Sequence, residues 1–326
     1  MLRMKSARGS ALHMQQEEAI QVKNSGLAIT MVAAALLIAA PAFAQGGNEG
    51  GHGHAVVTIF ARHSEMSPNI SQQDVSIKIN GKDSSVTGWT PLHGANDGLE
   101  LVVLIDGGAR NLGRQFEEIK QFIQGLSPHT KAAVGYMQNG QAILAGPLSA
   151  DHAQVVGEIH LSAGPSSNPY FSLSDLAQHW PSGARGVRRE VVLVSDGIDP
   201  NNPHLDLDDS YVQAAINDSV RAGLVVYSIY WQSHAASDGS SAGQSLLAQV
   251  SQATGGYNYG AGMGNSVSFQ PFFDDLDHRL ANQYELDFNA RLDRKPAVES
   301  FKLKVTGLAL DVGAPQQVYV QNASAE

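Results

Sequence analysis

The chain has 326 residues, 43% of them hydrophobic and 16% charged, with no cysteine and a formal charge of −10 at pH 7. This is ordinary globular composition at a length that suits one large domain, or one domain with an appendage; it excludes disulfides, thiolate metal sites and a lipid-anchored N-terminal cysteine. The acidic balance disfavours nucleic-acid and anionic-membrane partners, which carry negative charge themselves.

The first predicted element is a targeting segment. Gly26 to Ala40 is an uncharged apolar run of 15 residues, preceded by Arg3, Lys5, Arg8 and Lys23 and followed by Pro41-Ala42-Phe43-Ala44. Such a run falls short of the roughly 20 residues a membrane-spanning helix needs, and Ala42 and Ala44 match the small-x-small cleavage pattern. A signal peptide over residues 1–44 is expected, with export to the periplasm or the cell exterior. Its start, at Met1, Met4 or Met14, stays open, and an uncleaved anchor is the bland alternative. Cleavage takes four basic and two acidic groups from the formal −10 and leaves −12.

Residues 45–54 (QGGNEGGHGH) read as a Gly-rich, disordered linker. His52 and His54 stand two apart, but with no further ligand nearby they are not read as a metal site. The segment 55–97 is extended. Val56 to Phe60 is rich in β-formers, Val75, Ile77 and Ile79 alternate with Ser76 and Lys78, and Asn80-Gly81 suits a type I′ hairpin turn.

From 98 to 283 the pattern changes. Leu101 to Ile105, Val191 to Val194 and Leu224 to Tyr230 are continuous apolar runs, the signature of strands buried on both faces of a parallel sheet. Between them, Leu112, Phe116, Ile119, Ile123 and Leu126 form one helical stripe. Val212, Ile216 and Val220 form another, opened by Asp208-Asp209-Ser210 and closed by Gly223. Ala132 to Met137, Asn139-Gly140 and Gln141 to Ala145 read as a hairpin that adds one antiparallel strand at the sheet edge. The segment 284–326 returns to strands, at Tyr284 to Phe288, Phe301 to Val305 and Val318 to Val320. The expected fold class is α/β, a doubly wound, mostly parallel sheet, with a small β element made from the N- and C-terminal segments.

Ligands of such sheets bind outside the carboxyl ends of the strands. Two of those ends carry acids, Asp106 in Ile105-Asp106-Gly107-Gly108 and Asp196 in Ser195-Asp196-Gly197. Alone, Asp106 reads equally as a cap at a strand–helix turn and Asp196 as an Asp-Gly turn. Together, facing carboxylates attract a hard divalent cation.

The motifs LVVLIDGGAR (101–110), VVLVSDGID (191–199), LLAQVSQATGG (246–256), ANQYELDF (281–288) and FKLKV (301–305) give the chain a resemblance, over roughly 55–320, to the von Willebrand factor A fold. Within that fold it is similar to an exported bacterial family of acidobacterial type. The resemblance implies a metal-ion-dependent adhesion site: Asp-x-Ser-x-Ser after the first strand, a threonine from a later loop, and the aspartate of the Ser-Asp-Gly turn. The sequence departs from that pattern. Asp106 and Asp196 are present, Gly108 and Arg110 occupy the two serine positions, and Phe171 falls at the threonine position, with Ser172 and Ser174 nearby. The adhesion site is thus read as degenerate, formed by Asp106, Gly108, Arg110 and Asp196, with Asp106 and Asp196 as the metal ligands if magnesium or manganese binds at all. Arg110 is expected to act as a built-in cation.

Other chemistries fit less well. Gly239-Ser240-Ser241-Ala242-Gly243 matches the nucleophile-elbow string, with Asp275 and His278 in suitable chain order, but that elbow must leave a strand directly and here a polar stretch intervenes after Trp231. Gly107-Gly108 lacks the lysine and glycine spacing of nucleotide loops, and no zinc-ligand spacing emerges among the histidines. Trp180, Tyr170, Phe171, Tyr230 and Trp231 are read mainly as core, with a binding rim as the alternative. The expected function is an exported, protein-binding module without catalysis or cofactor. Its partner would be a protein or peptide of the cell envelope. The alternatives are a structural subunit of an envelope complex and, more remotely, a serine hydrolase using Ser241.

Overall fold

The computed structural model describes residues 50–61, 69–107, 112–160, 168–232, 240–260, 264–292, 295–307 and 309–322. The expected signal peptide and its cleavage point, Gly108, Arg110 and Gly239 lie outside them. Among the described residues no helix is long and apolar enough to cross a membrane.

Two sheets organise the chain. Strands β1 (Gly51–Ala61), β2 (Val75–Ile79) and β3 (Lys82–Pro91) precede the central region. The central region runs β4 (Leu99–Asp106), α1 (Arg114–Gly125), β5 (Thr130–Gln138), β6 (Gln141–Leu144), α2 (His152–Glu158), α3 (Pro169–Gln178), β7 (Arg188–Ser195), α4 (Ser210–Arg221), β8 (Leu224–Tyr230), α5 (Ser240–Thr254), β9 (Asn258–Tyr259) and α6 (Gln270–Ala281). Strands β10 (Gln283–Ala290), β11 (Ala297–Val305), β12 (Leu310–Gly313) and β13 (Gln317–Asn322) follow.

The first sheet corrects the sequence reading. A doubly wound, mostly parallel α/β chain with a small β element is not what forms. Strands from the two chain ends make a seven-stranded antiparallel sheet in the order β10-β3-β2-β11-β13-β1-β12, and a further β10–β1 pairing closes six of them into a barrel. The other sheet is mixed, in the order β6-β5-β4-β7-β8-β9, with β6 antiparallel to its neighbour and the remaining pairs parallel. The reason for the miss is physical. Each barrel strand alone shows only half-buried alternation, whereas closure depends on pairings such as Gly51 with Ala290, which no local periodicity encodes.

The last part of the expected linker, Gly51 to His54, belongs to β1, while 45–49 lie outside the described residues. A Cβ on Gly51 would lie 2.7 Å from Val320 Cγ1, and one on Gly53 would lie 2.5 Å from the Tyr319 carbonyl. These glycines are therefore packing residues, where two backbones approach closely, and not flexible spacers. They share the inward face of β1 with Ala55, Val57 and Ile59, which join Ile77, Leu286, Phe288, Phe301 and Val320 inside the barrel. His52 and His54 alternate outward.

In the mixed sheet the apolar runs behave as periodicity demands. One face packs Leu101, Val103 and Val194 under Phe116, Ile119 and Ile123 of α1 and Phe273 and Leu276 of α6. The opposite face packs Val102, Leu104 and Leu193 under Tyr170 and Leu173 of α3, Val212 and Ile216 of α4, and Leu246 and Val250 of α5. Burying such side chains contributes about 1.5–3 kcal/mol each, less the entropy of ordering them. Helix α4 begins where the Asp209 carboxylate accepts the Tyr211 and Val212 N–H groups at 2.8 and 3.3 Å, satisfying donors the first turn leaves open.

Barrel and mixed sheet meet over buried polar groups that the sequence reading did not single out. The Arg188 Nη1 donates to the Leu280 carbonyl at 2.9 Å and to Gln283 Oε1 at 2.5 Å, and Gln283 Nε2 donates to the Tyr227 hydroxyl at 3.1 Å. Glu190, fully buried on β7, sits among them. Burial pushes its carboxyl up to about 7, against the opposing pull of the Arg188 guanidinium and Gln283. Burial and the nearby Glu190 in turn raise the Tyr227 phenol, so that it stays a neutral hydroxyl.

Candidate functional site

The parallel pairing of β4 with β7 runs through Ile105 and Val194, so that both strands deliver an acid at the same sheet end. Asp106 is the last residue of β4, and Asp196 follows the last residue of β7. Each is 5% exposed. Such burial is costly for a carboxylate unless donors meet it. Fully buried Ser195 supplies one, its hydroxyl donating to Asp106 Oδ2 at 3.0 Å while accepting the Gly197 N–H at 3.1 Å. Asp196 Oδ1 accepts the Ile198 N–H at 3.0 Å, an Asx-type turn. One serine thus ties the two acid-bearing strand ends together.

The turn after Asp196 requires its glycines. Gly197 has φ +71°, a left-handed conformation, and a Cβ there would lie 2.3 Å from the Gly243 carbonyl. A Cβ on Gly243 would in turn lie 2.1 Å from the Asp196 carbonyl. The absence of both side chains lets the first turns of α5 rest directly on the Asp196 backbone. From the other side, the buried Tyr170 hydroxyl donates to the Gly197 carbonyl at 2.8 Å. Burial, and then Asp199, Asp196 and Asp209 around it, raise that phenol well above its usual range.

Asp199 belongs to this site although the sequence reading passed over it. It is 1% exposed, and its Oδ1 accepts Asn168 Nδ2 at 3.1 Å and the Asn201 N–H at 2.8 Å. Asn202 braces the same segment, accepting the Asp206 N–H and donating to the Asp206 carbonyl, both at 2.9 Å. The run Asp199-Pro200-Asn201-Asn202 was the available signal, since Asx side chains bond their own backbone in turns. At the N-terminal ends of α3 and α4, the Phe171 and Tyr211 rings lie 4.4 Å apart, 37% and 39% exposed. Leu207 adds a third exposed apolar side chain.

Among the described residues, the donor set falls short of the one the resemblance implies. Phe171 offers no oxygen at the threonine position, Ser172 is fully buried, and the Ser174 hydroxyl is bonded to Asp218. Ser195 already donates to Asp106. Among the described residues no group of three or more histidines, cysteines or acids is placed to hold a metal ion. Among the described residues, an octahedral magnesium shell at the strand ends would draw on the carboxylates of Asp106 and Asp196 and little else.

The remaining sequence candidates are engaged in other ways. Ser241 is exposed in the first turn of α5, and its carbonyl accepts the Ser245 hydroxyl at 2.9 Å. Asp275 accepts from Tyr259 at 2.8 Å and from Arg279 Nε at 2.6 Å, while the His278 ring packs edge-on against Phe60 at 4.8 Å. Both side chains on α6 are thus engaged with other partners. Tyr170, Tyr230 and Trp231 are buried core, and Trp180 donates to buried Glu100 at 2.8 Å.

No family profile and no curated protein matches the chain. Among solved structures it is similar to an aerotolerance-related membrane protein from Bacteroides fragilis, at 13% identity and a TM-score of 0.41, over 56% of this chain and 98% of that one. It is also similar to the vWF domain of the type V pili tip protein Mfa5 from Porphyromonas gingivalis, at 10% identity and a TM-score of 0.40, over 55% and 93%. A third is the pilus adhesin SpaC from Lactobacillus rhamnosus GG, at 9% identity and a TM-score of 0.43, over 82% of this chain and 47% of that one. Likeness of this degree fixes neither family nor function.

Proposed function

We propose that the chain is an exported interaction module of von Willebrand factor A type, which takes a protein or peptide of the cell envelope at the sheet end around Asp106 and Asp196. The observation that carries this reading is the pair of nearly buried carboxylates at neighbouring strand ends, joined through Ser195, with the start of α3, where Phe171 is exposed, tied to the Asp196 turn through Tyr170. Exposed aromatics suit recognition, because aromatic side chains supply contact area at low entropic cost and dominate binding energy at interfaces.

Binding on this reading needs no metal. The hydroxyl positions of the adhesion motif are Gly108 and Arg110, and Ser195 and the Ile198 N–H already satisfy part of the acid pair. Arg110, close behind Asp106 in sequence, supplies a permanent cation that can bond carboxylates with directed hydrogen bonds.

Capture from the native envelope with the mature chain as bait tests the proposal. One partner is expected in equal yield with magnesium or with chelator, falling about tenfold or more for Phe171→Ala. Recovery of the same partner by Phe171→Ala and Asp196→Asn alike would count against the site. The protein isolated from its host is expected to begin at Gln45.

A further inference from the structure

A second candidate site lies at the opposite end of the mixed sheet from Asp106 and Asp196. There β1 and β10 of the barrel meet the start of β7 and the turn before β8 over a cleft of about 560 Å³. Its lining includes His52, His54, Arg185, Arg188, Arg189 and Glu285. Three guanidinium groups and one carboxylate line it; Glu100 stands 3.9 Å from Arg189 and buried Glu190 lies near Arg188, which leaves Arg185 as the cation without an acid of its own among the described residues.

The cleft is built, not incidental. Because Gly51 and Gly53 face into the barrel, strand alternation turns His52 and His54 outward to the cleft. His54 stands over Gly223, whose φ is +68° and whose Cβ would lie 3.1 Å from the imidazole Nε2. Arg189 is anchored by donation from Nη2 to the Ser182 and Ala184 carbonyls at 3.2 and 3.1 Å, with Nε 3.9 Å from the Glu100 carboxylate. Arg188 is anchored through Nη1 to Leu280 and Gln283, while its Nε is buried without a hydrogen-bond partner. Arg185 is exposed, and among the described residues nothing bonds its side chain. Two arginines are therefore fixed in place and a third is free to close on a guest.

We propose that this cleft is a binding site for an oxyanion, a carboxylate or phosphate group carried by a small ligand, held by Arg185 and the imidazoles of His52 and His54 in the field of Arg188 and Arg189. The volume lies within the range of small-ligand sites, and planar guanidinium groups match both anions. Glu285 on the rim would repel a second acidic group directed towards β10, which favours ligands with their charge at one end. The site is independent of the function proposed at the other sheet end.

Calorimetry on the mature chain in chloride buffer at constant ionic strength tests it, with inorganic phosphate and acetate as separate probes. Saturable one-to-one binding of at least one probe is expected, and the responding probe identifies the anion class. Arg185→Ala and His54→Ala should each weaken binding about tenfold, the worth of a charge-assisted hydrogen bond, whereas Lys302→Ala on exposed β11 should leave it unchanged. Arg185 has no structural partner to lose, so that variant will fold. No saturable heat with either probe, or an affinity untouched by Arg185→Ala, overturns the proposal.

Discussion

Replacing Glu190 by glutamine is expected to stabilise the protein by as much as about 3 kcal/mol at pH 8, and by only about 1 kcal/mol near pH 5. The carboxyl is fully buried, and burial raises it to about 7 in the folded state from an ordinary 4.5. Between those values the folded protein binds the proton more tightly than the unfolded chain does. Stability therefore falls as pH rises through this window and stays low above it. An amide imitates the protonated acid and removes the pH-dependent penalty. Arg188 loses some attraction in exchange, but its hydrogen bonds to Leu280 and Gln283 remain. Denaturant unfolding across this pH range checks the expectation. A variant destabilised equally at both pH values would mean that Glu190 serves as the ionised partner of Arg188, whose loss leaves an unpaired buried charge.

Gly197→Ala is expected to cost more than about 3 kcal/mol, against about 1 kcal/mol for Gly81→Ala. The two glycines have nearly the same backbone, φ +71° and +74°. A Cβ at Gly81 meets nothing within 4 Å, whereas one at Gly197 meets the Gly243 carbonyl at 2.3 Å. The difference isolates the close approach of α5 to the Asp196 turn, which a backbone carbonyl cannot relieve by changing rotamer. Equal losses in chemical unfolding would show that α5 yields, and that the turn is less tightly held than its contacts imply.

Much of the mixed sheet was legible because its signals are local. The stripes of Phe116, Ile119 and Ile123 and of Val212, Ile216 and Val220 mark α1 and α4 directly. Asn80-Gly81 and Asn139-Gly140 adopt the positive φ values that their hairpins need. The barrel was not legible as a barrel, because closure joins residues from opposite chain ends and the Gly-rich start of β1 looks like linker until Val320, Tyr319 and Phe288 surround it. At the candidate site, Asp106 and Asp196 could be found from strand ends alone. Ser195 could not, since its role arises from a hydrogen bond across strands, whereas Asp199 carried a signal only as part of an Asx-rich turn. Glu190 eluded the reading for a related reason. A single acid heading an apolar strand looks like a boundary, and only packing against the barrel buries it.

The central proposal is that the Asp106–Asp196 site takes its partner without a metal. Thermal unfolding of the mature chain with and without millimolar magnesium, at constant ionic strength, tests it most directly. Coincident midpoints are predicted, with magnesium dependence appearing only when Gly108→Ser and Arg110→Ser restore the hydroxyl positions of the motif. A saturable rise in midpoint for the unmodified protein, abolished by Asp106→Ala, would contradict the claim.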